Sequence, residues 1–420
     1  MSERRYSRSE SLLRRAESVI PGGYHLSGRP LLPPGRAPLY MDRGKGARVR
    51  DVDGNEYLDF FMAFGPFLLG YAHPEVDAAA MAQIARGSLL SMNHPLHIEL
   101  IERLVSRFPG AEMGVFFKTG SEATTAALRV ARRLTGRRRV ARCGYHGWHD
   151  WCLPLEDFVP AGMPEQVLEF RASDPASLRA LFDRCAGEIA AVIVAPEMML
   201  PPSPSKLREL ADIARRGGAV FVMDEVKTAF RIAPGSVQQR AGVVPDMTTV
   251  SKALGNGWPI AALLGKREVM SAAAGMHLSA TFHGDTASMA AAMTVLDLLD
   301  RRSPVDVQEH VWRLGERLIA GLTELLRSHR IAGEAFAEPY PPMPFLRFTD
   351  PDPLRNAAIR DTFFAETLAR GVLLHPRHLW FVSAAHTDED IARTLTAADE
   401  ALAIAARVSP ADPRSPPART

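Results

Sequence analysis

Cysteine is scarce in this 420-residue chain: only Cys143, Cys152 and Cys185, an odd number, far apart and without metal-ligand spacing. That excludes a disulfide framework and suits a reducing compartment, so a cytoplasmic protein is expected. Charge of one sign is also missing, since 50 Lys and Arg stand against 48 Asp and Glu for a formal net charge of +2. A balance this even predicts neither nucleic acid nor an anionic membrane as partner, and points to a small-molecule ligand. No apolar run approaches the roughly 18 residues that a membrane span requires. Internal repeats are absent as well.

What remains is the composition of an ordinary globular protein, 46% hydrophobic and 23% charged, long enough for two or three domains. The Arg- and Ser-rich start carries Glu3, Glu10 and Glu17, and its Leu12, Leu13, Ala16, Val19 and Ile20 recur at helical spacing. It reads as an amphipathic helix ending at Pro21-Gly22-Gly23 rather than a targeting peptide. Residues 47–60, ARVRDVDGNEYLDF, read as two short strands joined at Asp53-Gly54, a pair suited to a tight hairpin turn.

Strand-like runs at 114–117, 190–194, 219–223 and 260–264 then alternate with helical stretches at 121–134, 205–216 and 286–300. Interleaving of this kind predicts an α/β fold with a mostly parallel central sheet covered by helices on both faces. A long helix at about 306–328, a strand at 345–348 and helices at 355–370 and 388–406 form a smaller α+β lobe. The expected organisation is 1–65 as part of the small lobe, 66–304 as the large domain, 305–407 as the C-terminal small domain, and a disordered Pro-rich tail at 408–420.

The strongest local signal is AVFVMDEV at 219–226, an apolar strand that delivers Asp224 at its carboxyl end, where open α/β sheets bind ligands. TTVSKALGNG then presents Lys252 after another short apolar stretch. Each residue alone has a bland reading, Asp224 as a turn cap and Lys252 as a solvated charge. Together they match the two ends of a pyridinium cofactor: the carboxylate keeps the ring nitrogen protonated, and the amine takes the aldehyde carbon and moves a proton. A phosphate cradle is offered by FFKTGSEA, a strand followed by Thr119-Gly120-Ser121 opening a helix, where free amides and the helix dipole favour an anion. The alternative there is a routine capped helix. Within CGYHGWHD, Tyr145 supplies a flat ring for stacking and His146 lies beside it. His146 and His149 have poor spacing and partners for zinc, so no metal is expected.

Taken in order, IPGGY, DVDGNEYLDF, GYAHPEV, KTGSEA, YHGWHD, MDEVKTAFRIAPG, GVVPDMTTVSKALGNGWPIAALLGKRE and VSAAHTDEDI resemble the class III, fold type I pyridoxal-phosphate aminotransferases. The likeness runs from about Ser18 to Ala406 and is nearest to the glutamate-1-semialdehyde aminomutase branch. It implies that Lys252 carries pyridoxal 5'-phosphate as a Schiff base and that Asp224 pairs with the pyridinium nitrogen. Val226 then lies on one ring face and Tyr145 on the other, with His146 also at the cofactor. Gly120 and Ser121 hold the phosphate, assisted by Thr281 from the neighbouring subunit of a homodimer with shared active sites. Arg29 aligns with an arginine that relatives use for a substrate carboxylate.

Departures from that branch shift the expected substrate. Ala195-Pro196 replaces a Glu-Pro pair and leaves Glu197 displaced; apolar Leu200 replaces an amide; His378 stands where a substrate-side glutamate is expected. His283 and Asp285 enter the run ATFHGDTAS, and 151–172 is shorter than the aminomutase gating loop. The expected reaction is transamination between an amino donor and a polar carbonyl acceptor, of the kind met as oxidised amino sugars or aminoglycosides in antibiotic biosynthesis. The rival readings are an epimerase using His378 or His146 as second acid/base, the aminomutase itself, and an inert cofactor-fold scaffold.

Overall fold

The computed structural model describes residues 6–23, 38–152, 164–196, 203–301, 306–337 and 340–408. The chain divides into two compact units, one of residues 74–308 and one assembled from 1–73 and 309–420.

The continuous unit is built on a seven-stranded sheet. Its strands run in the spatial order Met113–Phe117, Ala261–Gly265, Met247–Val250, Val220–Asp224, Ile189–Val194, Arg139–Cys143, Val167–Glu169. The last five are mutually parallel, while Ala261–Gly265 runs antiparallel to both of its neighbours. Ile189–Val194, Val220–Asp224 and Ala261–Gly265 are buried at every residue, which requires cover on both faces and explains why they read as continuous apolar runs rather than alternating ones. The helix Gly120–Thr135 supplies that cover on one side: Ala123, Ala127, Val130 and Ala131, spaced at three and four, pack with Ala191, Ile193, Val222 and Leu263 in one core.

The other unit carries a four-stranded sheet in which Met41–Lys45, Arg48–Asp51 and Glu56–Asp59 pair antiparallel in sequence. Val372–Leu373 joins Glu56–Asp59 in parallel from the far end of the chain. The helix Ser7–Glu17, most of the helix Val307–Ser328, a two-stranded sheet of Gly333–Ala337 with Pro344–Phe348, and the helices Pro353–Ala369 and Asp388–Ala405 also belong to it. Segment 66–73, grouped with the large domain from sequence, falls here instead, because Tyr71 exchanges backbone hydrogen bonds with Gly46 and donates its hydroxyl to Asp59 at 2.7 Å. Gln308, by contrast, belongs to the continuous unit, where its amide donates to the Phe230 carbonyl at 2.8 Å. The tail expected to be disordered lies, from residue 409 onward, outside the described residues.

Candidate active site

Asp224 ends its strand in a fully buried position, 4% exposed. A buried carboxylate needs donors, and three converge on it. The His146 Nδ1 lies 2.8 Å from Oδ2, and Oδ1 accepts from the Thr249 hydroxyl at 3.0 Å and the Val226 amide at 3.2 Å. With its Nδ1 proton on Asp224, His146 is held in place by its ring stacking on Trp151 at 5.8 Å and by its carbonyl, which accepts from Thr124 Oγ1 at 2.8 Å. Its Nε2 is buried and has no hydrogen-bond partner.

Lys252 reaches the same end of the sheet from the next strand. Asp224 is in register with Thr249, whose carbonyl accepts from the Glu225 amide at 2.9 Å, and Lys252 follows three residues on. Its backbone is left-handed, with φ of +46°, a conformation that a lysine adopts only under constraint and that is concentrated at functional sites. The constraint is visible at Ser251, whose hydroxyl donates to the Ile260 carbonyl at 2.8 Å.

The candidate anion cradle is the N-terminus of Gly120–Thr135. Thr119 caps it, accepting from the Glu122 amide at 3.3 Å, while the Glu122 carboxylate accepts from the Thr119 amide at 2.8 Å and the Lys118 amide at 3.0 Å. Only glycine fits at position 120, since a Cβ there would lie 2.9 Å from both methyls of Val226. Ser121 accepts from the Trp148 amide at 3.3 Å, which fastens the 145–148 turn onto the first turn of the helix. Tyr145, on that turn, presents a ring that is 59% exposed, with the Lys227 ammonium 5.3 Å from its centroid. Partial burial raises the phenol above its usual range, against the opposing pull of Lys227.

This donor set fits a flat, anionic, aldehyde-bearing heterocycle. A helix N-terminus lies against Val226, a buried carboxylate sits two residues from that valine, an exposed aromatic face lies nearby, and an amine follows the adjacent strand. Residues 33–335 match the family described as Aminotransferase class-III. The chain belongs to the class-III aminotransferases. Its cofactor is pyridoxal 5'-phosphate and its fold is that of the fold type I enzymes. The chain is 35% identical to the 3-aminobutyryl-CoA aminotransferase of Cloacimonas acidaminovorans, across 94% of this chain and 97% of that one. It is 36% identical to the 2'-deamino-2'-hydroxyneamine transaminase of Streptomyces kanamyceticus, across 86% and 90%. Among solved structures, the FumI protein of Sphingopyxis sp. MTA144 in its PLP internal aldimine form superposes with a TM-score of 0.89 at 33% identity, covering 96% of this chain and 99% of that one.

The class-III site residues expected from sequence divide into three groups. Gly120, Ser121, Tyr145, His146, Asp224 and Val226 are linked by the contacts above, and Lys252 follows on the neighbouring strand. Thr281 opens the turn Thr281–Gly284 and is exposed. His378 lies in the other unit, half-buried, its Nδ1 at 2.8 Å from the Leu379 carbonyl and its ring among Phe64, His375 and Phe381. Arg29, Glu197 and Leu200 fall outside the described residues, as do residues 153–163 of the shortened loop at 151–172. Sequence reasoning listed His146 at the cofactor without seeing that it holds Asp224, and it missed Thr249 altogether. The TT pair inside the strand that precedes the lysine was the available signal. His149 is engaged elsewhere, with Nδ1 at 2.7 Å from the Thr125 hydroxyl.

Proposed function

We propose that this aminotransferase works as a homodimer in the cytoplasm, moving an amino group from an amino donor to a polar carbonyl acceptor of the oxidised amino-sugar or aminoglycoside class, in antibiotic biosynthesis. The observation that carries the catalytic part is the buried Asp224 clamp, with donors from His146, Thr249 and Val226, beside the strand that leads to Lys252. Pyridoxal phosphate supplies the electron sink for a substrate carbanion. Asp224, its carboxylate oriented by three partners, would pair with the ring nitrogen and hold its proton there. The Lys252 amine would take the α-proton from the substrate carbon and deliver it to the carbon on the other side of the linking nitrogen; positioned proton transfer of this kind is worth about 10²- to 10⁴-fold. Gly120 and Ser121 would offer backbone amides to the phosphate, Val226 and Tyr145 would flank the ring, and His146 fixes the carboxylate's orientation.

The acceptor class rests on the Streptomyces kanamyceticus relative and on the altered substrate-side residues, His378 and Leu200 among them. Dimerisation is supported by apolar side chains left in water on the continuous unit: Met81, Ile84, Met92, Ile98 and Phe282 are 48–82% exposed, and Phe282 adjoins Thr281. All three cysteines are free and buried, which suits a reducing compartment. Among the described residues no helix is long and apolar enough to cross a membrane. A second reading, a β-amino acyl thioester in place of the amino sugar, is favoured by the Cloacimonas relative. A mass-spectrometric screen decides between them: amino donors are paired with oxidised aminoglycosides, 3-oxoacyl thioesters and glutamate semialdehyde. Amination of the first group supports the proposal, and turnover confined to either of the others refutes it.

A further inference from the structure

The residues that depart from the aminomutase pattern near Thr281 form two ties that the reaction does not use. His283 accepts the Ala280 amide on Nδ1 at 3.2 Å, so the neutral ring carries its proton on Nε2, which lies 3.3 Å from Glu122 Oε1. The ring packs edge-on against Phe117 at 5.0 Å, and the pair is largely shielded, with 14% and 31% of the two side chains exposed. Glu122 is the same carboxylate that accepts the Lys118 and Thr119 amides at the mouth of the anion cradle. Two residues beyond His283, Asp285 meets the Lys118 ammonium at 2.5 Å, and that ammonium also donates to the Pro259 carbonyl and the Ser288 hydroxyl. Asp285 in turn caps the helix Thr286–Asp300 through the Ala287 amide at 3.0 Å. The turn bearing Thr281 is therefore bolted, at two points, to the helix end that holds this chain's own phosphate.

We propose that His283 is a positioning residue that couples the two cofactor sites of the dimer. The inference rests on the reading that Thr281 of one subunit serves the phosphate of the other. Loading one site orders that subunit's cradle together with the neighbour's Thr281 turn. Through His283 and Glu122, the ordered turn settles the neighbour's own cradle, so the second cofactor enters a site already arranged. Ordering met by the first binding event is spared in the second, which makes the coupling positive.

The test is native mass spectrometry of apo-dimer half-saturated with pyridoxal phosphate, which counts dimers holding none, one or two cofactors without reference to turnover. Wild-type protein should show fewer singly loaded dimers than the binomial distribution for independent sites, by about fivefold or more in coupling. His283→Phe, which keeps the packing on Phe117 but cannot donate, should return the binomial distribution. His283→Gln, which restores a donor, should recover the wild-type pattern. A binomial distribution or an excess of singly loaded dimers in the wild type would overturn the proposal, as would an unchanged pattern in His283→Phe. A monomer by sedimentation, or a chain that takes up no cofactor, would overturn it together with the reading beneath it.

Discussion

Substituting Gly120 by alanine tests the floor of the proposed cofactor site with a single methyl group. That methyl would lie 2.9 Å from Cγ1 and from Cγ2 of Val226, whereas carbon atoms rest at about 3.5–4.0 Å. Valine cannot swing away, because a β-branched side chain has few χ1 rotamers. Its backbone is held too, by the hydrogen bond from its amide to Asp224 at 3.2 Å. Overpacking of this kind costs about 1–3 kcal/mol. Loss of the glycine's freedom in the unfolded chain works the other way by about 0.4–1 kcal/mol. The overlap wins, and Gly120→Ala should destabilise the apo-protein by roughly 0.5–2 kcal/mol in denaturant unfolding while weakening uptake of pyridoxal phosphate. Val226→Ala should relieve the clash, so that the double variant is more stable than the sum of the two single losses, a favourable coupling of about 0.5–3 kcal/mol in a double-mutant cycle. Additive losses, or a Gly120→Ala protein as stable as the wild type with unchanged cofactor affinity, would refute the account.

Four further outcomes are expected. Lys252→Ala should lower turnover by at least about 10²- to 10⁴-fold and abolish the visible absorption of lysine-bound cofactor, read by spectrophotometry after reconstitution. Asp224→Asn keeps the shape but not the charge and should cut kcat by about 10²-fold or more while the absorption persists; unimpaired turnover would remove Asp224 from the mechanism. Gly147→Ala should loosen the cofactor and lower Tm, because its φ of +120° suits only glycine and the new methyl would strike Ser121 Oγ. Burial pushes the His386 imidazole down to about 4 from its usual value near 6.5, so the folded state releases a proton that the unfolded chain keeps. The stability this gives is complete above pH 6.5 and lost as pH falls towards 4, on the order of 3 kcal/mol; unfolding of His386→Gln should be flatter across that window.

How legible the site was depended on how local its signals were. The strand Val220–Asp224 and the helix Gly120–Thr135 announce themselves, one as an unbroken apolar run and the other through Thr119, Gly120 and a capping Glu122. Strand Arg139–Cys143 does not, since it reads RVARC. Its Arg142 is buried only because the Cys152 carbonyl and Glu169 receive its guanidinium, partners supplied by distant segments. Val167–Glu169, three residues long, is too short to stand out within the loop-like stretch 151–172. Thr249 escaped notice for a related reason: its role exists only once two parallel strands come into register, and nothing within its own segment encodes that pairing. The tie from His283 to Glu122 joins residues 161 apart, so sequence showed His283 only as an oddity.

The parallel partnership of Val372–Leu373 with Glu56–Asp59 carries a consequence for synthesis. At about 5–20 residues per second, a ribosome needs on the order of 15–60 s to travel from the earlier strand to the later one. For that interval the hairpin strands stand with an open edge, while the intervening unit, continuous along the chain, has everything it needs to collapse. The nascent protein thus carries an unsealed sheet through most of its synthesis, with the continuous unit complete only over the last part of that interval, and a chain cut short before Val372 would leave that edge open to aggregation for good.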